Sequence, residues 1–525
     1  MAGFAGAPAS LTYGYNHWLV DRDSSIVSRA FPEVEGLNLY SPVFLTNDTQ
    51  PGFVNGTQAA TSLEDLDEYL QTLAERNDWL TYHLAEFESE EGRSIPYVTL
   101  STSNNKTSSC GKDDKLKVWV QGSHHGNEPS GDEATLALLG ALDANKTWAA
   151  SLLEHLEITV LPRYNPDGVF YFQRELASNY DPNRDHIQLR RQHTINHKTL
   201  YNKFNPDVAI DLHELSAPNI FGQRYQHGAD GFYAPGKHPL THHLVRNLSE
   251  GLFTENIVND YEVHGLRPET YATKQSGNDT EILLFEAPAE ARMVSNAWGL
   301  SHAVSFLIET RGIGLAQGNF QRRVAASLVA TQSIIQTAAD NKDAIQATLK
   351  KAREDFIESE EDIVVTYKND IGVRNYTFVS RETGDVIYEP VKFRSSTNLQ
   401  ANFTRTRPEA YLIPKPWSHI AEKLKILGVE VETLDEAWEG PVEALTVTSV
   451  SFAENYFEGA LLATTTTEAA KKNVKVPTGS FYVSTKQRNA AFAFVALEPE
   501  SVDSFVTHAT IPLRKGDEYP IFRVL

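Results

Sequence analysis

The sequence predicts an α/β protein: a mixed, mostly parallel sheet with helices on both faces, followed by a β-rich C-terminal region. Between residues 62 and 361, short apolar runs rich in β-branched residues alternate with segments of helical periodicity. This alternation is typical of a parallel sheet that is covered on both sides. Beyond residue 362, strand-like pieces separated by turn residues predominate. The length of 525 residues is enough to bury at least one large core.

Three segments follow from these patterns. Residues 1–61 are rich in Gly, Pro, Asn and aromatic residues without clean periodicity, which predicts an irregular arm lying over a later domain. Residues 62–361 form the main domain, which opens with a helix capped by Ser62 and closes with one or two helices over residues 319–359. Residues 362–525 form a β-rich C-terminal domain. The predicted strands of the main domain include IPYVTL, LKVWVQG, LEITVL, DVAIDL and AVSFLIE.

The net charge and the length of the apolar runs argue against nucleic acids and membranes as partners. The chain has 47 Lys and Arg against 69 Asp and Glu, a net charge of −22. Its field should repel phosphate backbones and anionic lipids, so we expect no nucleic-acid partner. No apolar run approaches the roughly 18 residues of a membrane-spanning helix, so we expect no membrane partner.

The number of cysteines and the glycosylation sequons indicate whether the protein is cytosolic or secreted. The single Cys110 cannot form an internal disulfide, and the N-terminus lacks the cationic start and apolar stretch of an intact signal peptide, which favours a cytosolic protein. Eight N-x-S/T sequons, more than the composition gives by chance, favour instead a mature secreted glycoprotein, and this is the interpretation we adopt. The sequons lie at Asn47, Asn55, Asn105, Asn145, Asn247, Asn278, Asn375 and Asn402.

Metal-ligating residue types follow two of the predicted strands. LKVWVQG runs into SHHGNEP, which places His125 and Glu128 three residues apart at a strand's carboxyl end. This is where open α/β sheets bind ligands. Further along the chain, the apolar run VAIDLH ends in His213, at the predicted carboxyl end of another strand and 85 residues after Glu128. Two close ligands and a distant third describe an open catalytic Zn²⁺ site with room for water, although an HxxE pair alone is a weak signal.

A further acid and two arginines complete the candidate set. Glu309 follows a buried apolar run, where it either pairs with Arg311 or acts as a general base toward a metal-activated water. Arg184, beside Asn183, has the chemistry to clamp a carboxylate, and Arg174 has the chemistry to stabilise an oxyanion. Taken singly, each arginine is more often a surface ion-pair partner.

Together these motifs resemble the zinc metallocarboxypeptidases of the carboxypeptidase A type, the M14 family. The resemblance spans roughly residues 62–345 and rests on HGNE, NPDG, DPNRD, DLHE and FLIET in the family's order. It implies a catalytic domain over residues 62–361 and hydrolysis of the C-terminal peptide bond of a substrate with a free carboxylate. The implied roles are zinc ligation by His125, Glu128 and His213, general base catalysis by Glu309, carbonyl polarisation by Arg174, and carboxylate binding by Asn183 and Arg184.

Some positions depart from the family pattern or leave alternatives open. Asn127 stands where digestive members carry an arginine, and no tyrosine lies between Tyr271 and Glu309, so Tyr271 and Trp298 are both candidates for the substrate-contacting aromatic residue. His124 is a weaker candidate ligand than its neighbour His125. The alternative functions are a zinc amidohydrolase on the same scaffold, acting on N-acyl amino acids or γ-glutamyl links, and a catalytically idle glycoprotein.

Overall fold

The computed structural model describes residues 12–14, 18–46, 49–102, 115–274 and 281–525. Among them, the helices are α1 (Ser25–Ser28), α2 (Pro42–Thr46), α3 (Leu63–Arg76), α4 (Ser130–Ala144), α5 (Lys146–His155), α6 (Pro166–Tyr171), α7 (Gln192–Phe204), α8 (His243–Leu248), α9 (Thr254–Val263), α10 (Val294–Leu300), α11 (Phe320–Asp340), α12 (Lys342–Glu358), α13 (Ser418–Ile426) and α14 (Ala490–Leu497). Cys110 and the sequons at Asn47, Asn105 and Asn278 lie outside the described residues.

The strands divide into three sheets. They are β1 (Leu80–Leu84), β2 (Pro96–Leu100), β3 (Leu116–Gln121), β4 (Leu156–Leu161), β5 (Val208–Ser216), β6 (Tyr225–His227), β7 (Gly231–Pro235), β8 (Pro268–Thr270), β9 (Ala272–Lys274), β10 (Leu283–Glu286), β11 (Val304–Ile313), β12 (Ile363–Ser380), β13 (Val386–Arg405), β14 (Ala410–Ile413), β15 (Glu432–Thr433), β16 (Trp438–Phe457), β17 (Ala460–Val476), β18 (Phe481–Ser484) and β19 (Phe522–Val524).

The central sheet has eight strands in the order β1-β2-β4-β3-β5-β11-β7-β8. The pairs β3–β4, β3–β5, β5–β11 and β7–β8 are parallel, and the other pairs are antiparallel. Alternate residues of β3 face opposite sides: Val118 and Val120 pack in the core formed with α4 and α11, and Trp119 packs against Tyr201 of α7. Helices therefore cover both faces, and the predicted fold class is confirmed.

Local sequence signals explain where the helices of the main domain begin. The Ser62 hydroxyl accepts a hydrogen bond from the Asp65 N–H and so caps α3. Leu66, Leu70 and Leu73 then bury one face of that helix. The pattern over residues 319–359 gives two helices, α11 and α12, that meet at Asn341. None of the helices in the described part of the chain is long and apolar enough to cross a membrane.

The region after residue 362 interlocks with the earlier chain. The long hairpin β12–β13 belongs to a five-stranded sheet with β6, β9 and β10, which come from residues 225–286. The remaining strands form a six-stranded sheet in the order β15-β18-β14-β19-β16-β17. Two helices of this region, α13 and α14, have no counterpart in the sequence prediction. They pack in a core that also includes Leu189 and Ala297 of the main domain.

The N-terminal arm also reaches into the main domain. Asp23 forms a buried, bidentate ion pair with Arg311 of β11, at 2.5 and 2.8 Å. Trp18 lines the cavity that holds the candidate site residues. The arm is therefore fixed to the same end of the sheet at which the predicted site lies.

Candidate active site

The candidate site lies near the carboxyl ends of three neighbouring strands. The sequence prediction that His213 ends its strand and that Glu309 follows one was wrong, because β5 continues to Ser216 and β11 to Ile313. Gln121, at the end of β3, is in register with Asp211 of β5, and Glu309 of β11 is in register with His213 of β5. Parallel strands present their carboxyl ends at one edge of a sheet, so side chains far apart in sequence meet there. The loop after β3 approaches Gly168 so closely that a Cβ on Gly126 would lie 1.8 Å from the Gly168 carbonyl carbon. Gly126 is therefore required by backbone packing.

His125, Glu128 and His213 converge as the sequence predicted. The His125 Nδ1 lies 2.8 Å from Glu128 Oε1, the His213 Nδ1 lies 2.9 Å from Glu128 Oε2, and the two Nδ1 atoms are 3.1 Å apart. One ligand atom from each residue lies within 4.8 Å of the other two, and all three residues are buried.

Two aspartates orient the imidazoles. Asp181 Oδ1 accepts a hydrogen bond from His125 Nε2 at 3.1 Å, and Asp211 Oδ2 accepts one from His213 Nε2 at 2.5 Å. With both Nε2 atoms donating, each neutral ring presents its Nδ1 lone pair to the Glu128 carboxylate. Three acceptors then face one point with no proton between them. A divalent cation satisfies this arrangement, and two imidazoles with one carboxylate suit Zn²⁺.

The pKa values of His213 and Glu128 also indicate that a positive charge is stabilised between these residues. Burial lowers the pKa of His213, but the carboxylates of Asp211 and Glu128 outweigh burial and raise it well above its usual value. Burial raises the pKa of Glu128, but the two imidazoles outweigh burial and hold it far below its usual range. The pocket thus requires a proton or a metal ion between these groups.

His124 takes part in a hydrogen-bond network beside His125, Glu128 and His213. Its Nδ1 donates to Asp211 at 3.1 Å, its Nε2 lies 3.4 Å from His186, and its ring stacks on Tyr164 with centroids 4.1 Å apart. Together with His213 and Asp211 it forms a second group with metal-ligand spacing. Gln121, however, also donates to Asp211, at 2.9 Å, so three donors satisfy this carboxylate and a hydrogen-bond network accounts for the group.

Glu309 is buried beside the ligands and is not paired with Arg311. The Glu309 Oε2 has no hydrogen-bond partner, and the guanidinium of Arg311 binds Asp23 instead. Burial and the neighbouring Glu128 carboxylate raise the pKa of Glu309 to about 8. The adjacent acid Glu214 forms a bidentate pair with Arg323, at 2.8 Å for both bonds, which is a structural role.

Arg174, Asn183 and Arg184 line the same cavity as His125, His213 and Glu309. Arg174 donates to Glu128 Oε1 at 3.2 Å and to Asp181 Oδ2 at 2.9 Å. Asn183 accepts the Val294 N–H at 2.8 Å, and Arg184 donates to the Asn183 carbonyl at 2.8 Å. Both arginines therefore extend into the site from a loop that is fixed at several points.

The two candidate aromatic residues have different environments. Tyr271 lines the cavity, and burial together with Glu309 raises the pKa of its hydroxyl well above the usual value. Trp298 is 2% exposed and stacks on Tyr201, with ring centroids 5.2 Å apart. The structure thus places Tyr271, and not Trp298, at the site. Asn127 is buried, and neither polar atom of its amide has a hydrogen-bond partner.

Sequence reasoning missed Asp181 and Asp211 as partners of the ligands. Both lay in strings already singled out, DPNRD and DLHE, and Asp211 stands two residues before His213. Residues two apart in a strand point to one face, so an acid at that spacing from a strand-ending histidine was an available signal.

This fold and this site define a metal-dependent hydrolase on an α/β sheet. Residues 66–217 match the family model described as zinc carboxypeptidase. "Carboxypeptidase 2" of Trichophyton tonsurans is 45% identical over 519 residues, which cover 98% of this chain and 96% of that protein. The protein of the same name from Trichophyton rubrum is 44% identical over 519 residues, with the same coverage. The chain therefore belongs to the zinc carboxypeptidase family.

The resemblance to zinc metallocarboxypeptidases is thus confirmed, as is the prediction of a metallocarboxypeptidase. The amidohydrolase alternative is not favoured. Among solved structures, a metallo-carboxypeptidase from Burkholderia cenocepacia is 17% identical and has a TM-score of 0.40, covering 53% of this chain and 70% of that one.

Proposed function

We propose that this protein is a secreted exopeptidase that binds one Zn²⁺ through His125 Nδ1, the Glu128 carboxylate and His213 Nδ1. The observation that carries the proposal is the convergence of these three acceptors on one point while Asp181 and Asp211 take both Nε2 protons. Bound zinc supplies Lewis acidity, which lowers the pKa of a water molecule and polarises the scissile carbonyl.

Glu309 is the proposed general base and proton carrier. Its unpartnered Oε2 lines the same cavity as the ligands and is free to accept the proton of the attacking water. The same carboxyl group then donates that proton to the departing amine. A divalent cation in the site favours the ionised form of Glu309, which counteracts the rise in pKa that burial and Glu128 cause.

The arginines determine which bond is cleaved. Arg184 and Asn183 bind the terminal carboxylate of the peptide, because a planar guanidinium matches a carboxylate in two hydrogen bonds. Arg174, held by Asp181 at its Nη2, directs its positive charge at the oxygen on which negative charge develops. The substrate class is therefore peptides with a free C-terminus.

The test compares blocked dipeptides that differ only in a free or an amidated C-terminus, together with a measurement of bound zinc. We expect about one zinc per chain and release of the last residue from the free acid. Equal cleavage of both substrates contradicts the role of Arg184, and absence of zinc binding contradicts the whole proposal.

Secretion and glycosylation belong to the same proposal. Each sequon asparagine that the structure describes, namely Asn55, Asn145, Asn247, Asn375 and Asn402, is exposed to solvent. An acceptor asparagine has to be accessible to be glycosylated, so this exposure supports a secreted glycoprotein.

A further inference from the structure

The site cavity carries polar groups that the proposed mechanism does not use. Besides His125, His213 and Glu309, its lining includes the polar residues Ser216, Asn219, His227 and Thr273 and several apolar residues. Among the described residues that line it, the carboxylates are Glu214, which is paired with Arg323, and Glu309. The remaining part of the cavity combines polar side chains with apolar ones such as Leu215, Met293 and Leu307, and it offers no anionic group to a basic side chain.

Two buried polar atoms of this region have no partner. Ser216 is 4% exposed and its Oγ forms no hydrogen bond, and His227 is 1% exposed and its Nδ1 forms none. A buried polar atom without a partner costs about 1–3 kcal/mol, so such atoms call for an explanation. Both residues line the substrate cavity, which makes a ligand group the direct explanation.

The imidazole of His227 is held neutral and fixed in place. Its ring packs edge-on against Phe221 and Phe232, with centroids 4.6 and 5.2 Å away. Burial and the positive charge of Arg311 lower the pKa of His227 to about 3. At neutral pH the ring therefore presents one donor and one acceptor nitrogen and no charge. Ser216 adds a hydroxyl that can donate or accept.

We propose that Ser216 and His227 form a specificity site for the side chain of the departing C-terminal residue, and that this site selects a polar, uncharged side chain bearing an amide or a hydroxyl. This inference rests on the proposed exopeptidase function. A site built to hydrogen-bond a substrate group discriminates strongly against an isostere that lacks the group, because its own polar atoms then stay unpaired. A basic C-terminal residue finds no carboxylate in this region, and an apolar one leaves both atoms unsatisfied.

The experiment measures kcat/KM of the zinc-loaded enzyme for blocked dipeptides that end in isosteric pairs, Asn against Leu and Thr against Val, with Lys as a charged comparison. We expect the polar member of each pair to be preferred by at least about tenfold, in line with one or two unsatisfied groups. Lys should be cleaved less well than Asn. Preference for Leu over Asn, or for Lys over both, overturns the proposal.

Matched variants assign the preference to the two residues. His227→Leu and Ser216→Ala should reduce the Asn/Leu ratio to within about threefold of unity, whereas His227→Asn, which keeps a polar atom near the Nδ1 position, should retain part of it. Ser333→Ala is the control, because Ser333 is also a buried serine whose Oγ lacks a partner but it lies on α11 and does not line the cavity. An unchanged ratio in both active-site variants overturns the assignment. Failure to cleave any free-acid substrate would instead refute the exopeptidase function itself.

Discussion

Asp211 is the residue on which the orientation of His213 depends. Its carboxylate is buried and accepts hydrogen bonds from His213, His124 and Gln121. It thereby fixes the tautomer in which the Nδ1 of His213 carries the lone pair that faces Glu128. Asp181 does the same for His125 and also holds Arg174.

We therefore expect Asp211→Asn to weaken zinc binding by about 10- to 100-fold, the usual effect of losing a carboxylate that orients a ligand. Competition with a chelator measures the affinity directly. Asp143→Asn is a suitable control, because this carboxylate also accepts a side-chain hydrogen bond, from Asn77, but lies at the end of α4. An unchanged affinity in Asp211→Asn would show that the tautomer of His213 is set in another way.

For Glu309→Gln we expect zinc affinity within a few-fold of the wild type and a kcat lower by at least about 10². The amide keeps the shape of the side chain but cannot take a proton from water. Zinc content and steady-state kinetics on the same preparation separate the two effects. Full activity in a zinc-loaded variant contradicts the general-base role.

Glu133, on α4 behind the sheet, provides a prediction about pH. Burial and the neighbouring Asp132 raise its pKa to about 7, and Thr61 donates a hydrogen bond to its Oε1. In the unfolded chain Glu133 ionises near its ordinary pKa of 4.5, so the folded state loses stability as the pH rises from about 4.5 to 7.

Glu133→Gln mimics the protonated form, so we expect its stability to depend less on pH and to exceed that of the wild type above pH 7, by roughly 3 kcal/mol at most. Denaturant unfolding at pH 5 and pH 8 measures the difference. If the difference in unfolding free energy between the variant and the wild type is the same at pH 5 and at pH 8, the pKa of Glu133 is not raised.

At the scale of single residues, the sequence predicted the site residues near the carboxyl ends of strands and missed the aspartates that orient the two imidazoles. His125, Glu128, His213 and Glu309 were recognisable because histidine and glutamate next to buried apolar runs have few structural reasons to be there. His227, whose Nδ1 has no hydrogen-bond partner, was not recognisable, since it reaches the cavity only because β6 pairs with β12, about 150 residues later in the chain.

Among the elements of the C-terminal region, the hairpin β16–β17 contacts the loop that carries Asp181. Its two-residue turn, Glu458–Gly459, has both φ angles positive, at 47° and 77°. Gly459 packs so close to Tyr180 that a Cβ would lie 2.4 Å from the tyrosine hydroxyl. Glu458 Oε2 accepts the Asp181 N–H at 3.1 Å. The C-terminal region, from residue 362 in our prediction, thus holds in place the loop that carries Asp181, the residue that orients His125 and Arg174.

We expect Glu458→Ala to lower kcat and zinc affinity by about 3- to 10-fold, the value of one net hydrogen bond. Glu458→Gln should be milder, since its amide oxygen still accepts the Asp181 N–H. Glu454→Ala, an exposed change on the same hairpin, serves as the control. If Glu458→Ala behaves like this control, the hairpin tip does not position the loop.

The prediction of secondary structure failed for a segment whose hydrophobic residues follow no periodic pattern. Helix α14, with the sequence AAFAFVAL, is apolar on every side and completely buried. A short run of this kind has neither a helical nor an alternating pattern, so only its tertiary contacts decide its conformation. Five strands of the central sheet, β2, β3, β4, β5 and β11, were predictable because strands covered by helices on both faces have nearly continuous apolar sequences. The sequence analysis did not predict β1, β7 and β8.

On the scale of the whole molecule, the exposed sequons predict attached glycan. We expect the natively produced protein to lose mass on treatment with an N-glycosidase, with modified peptides that contain Asn55, Asn145, Asn247, Asn375 or Asn402. Mass spectrometry of the deglycosylated peptides identifies the occupied sites, since each converted asparagine becomes aspartate. Unmodified asparagine at all five positions in the native protein would contradict secretion through a glycosylating pathway.

The contact between the hairpin tip and the Asp181 loop has a consequence for protein engineering. A chimera that joins the chain up to the end of β13, at Arg405, to the remainder of a divergent relative would place a foreign turn against Tyr180. Such a recombinant should catalyse poorly, even where the shared core still packs, unless Tyr180, Asp181, Glu458 and Gly459 are transplanted as a set.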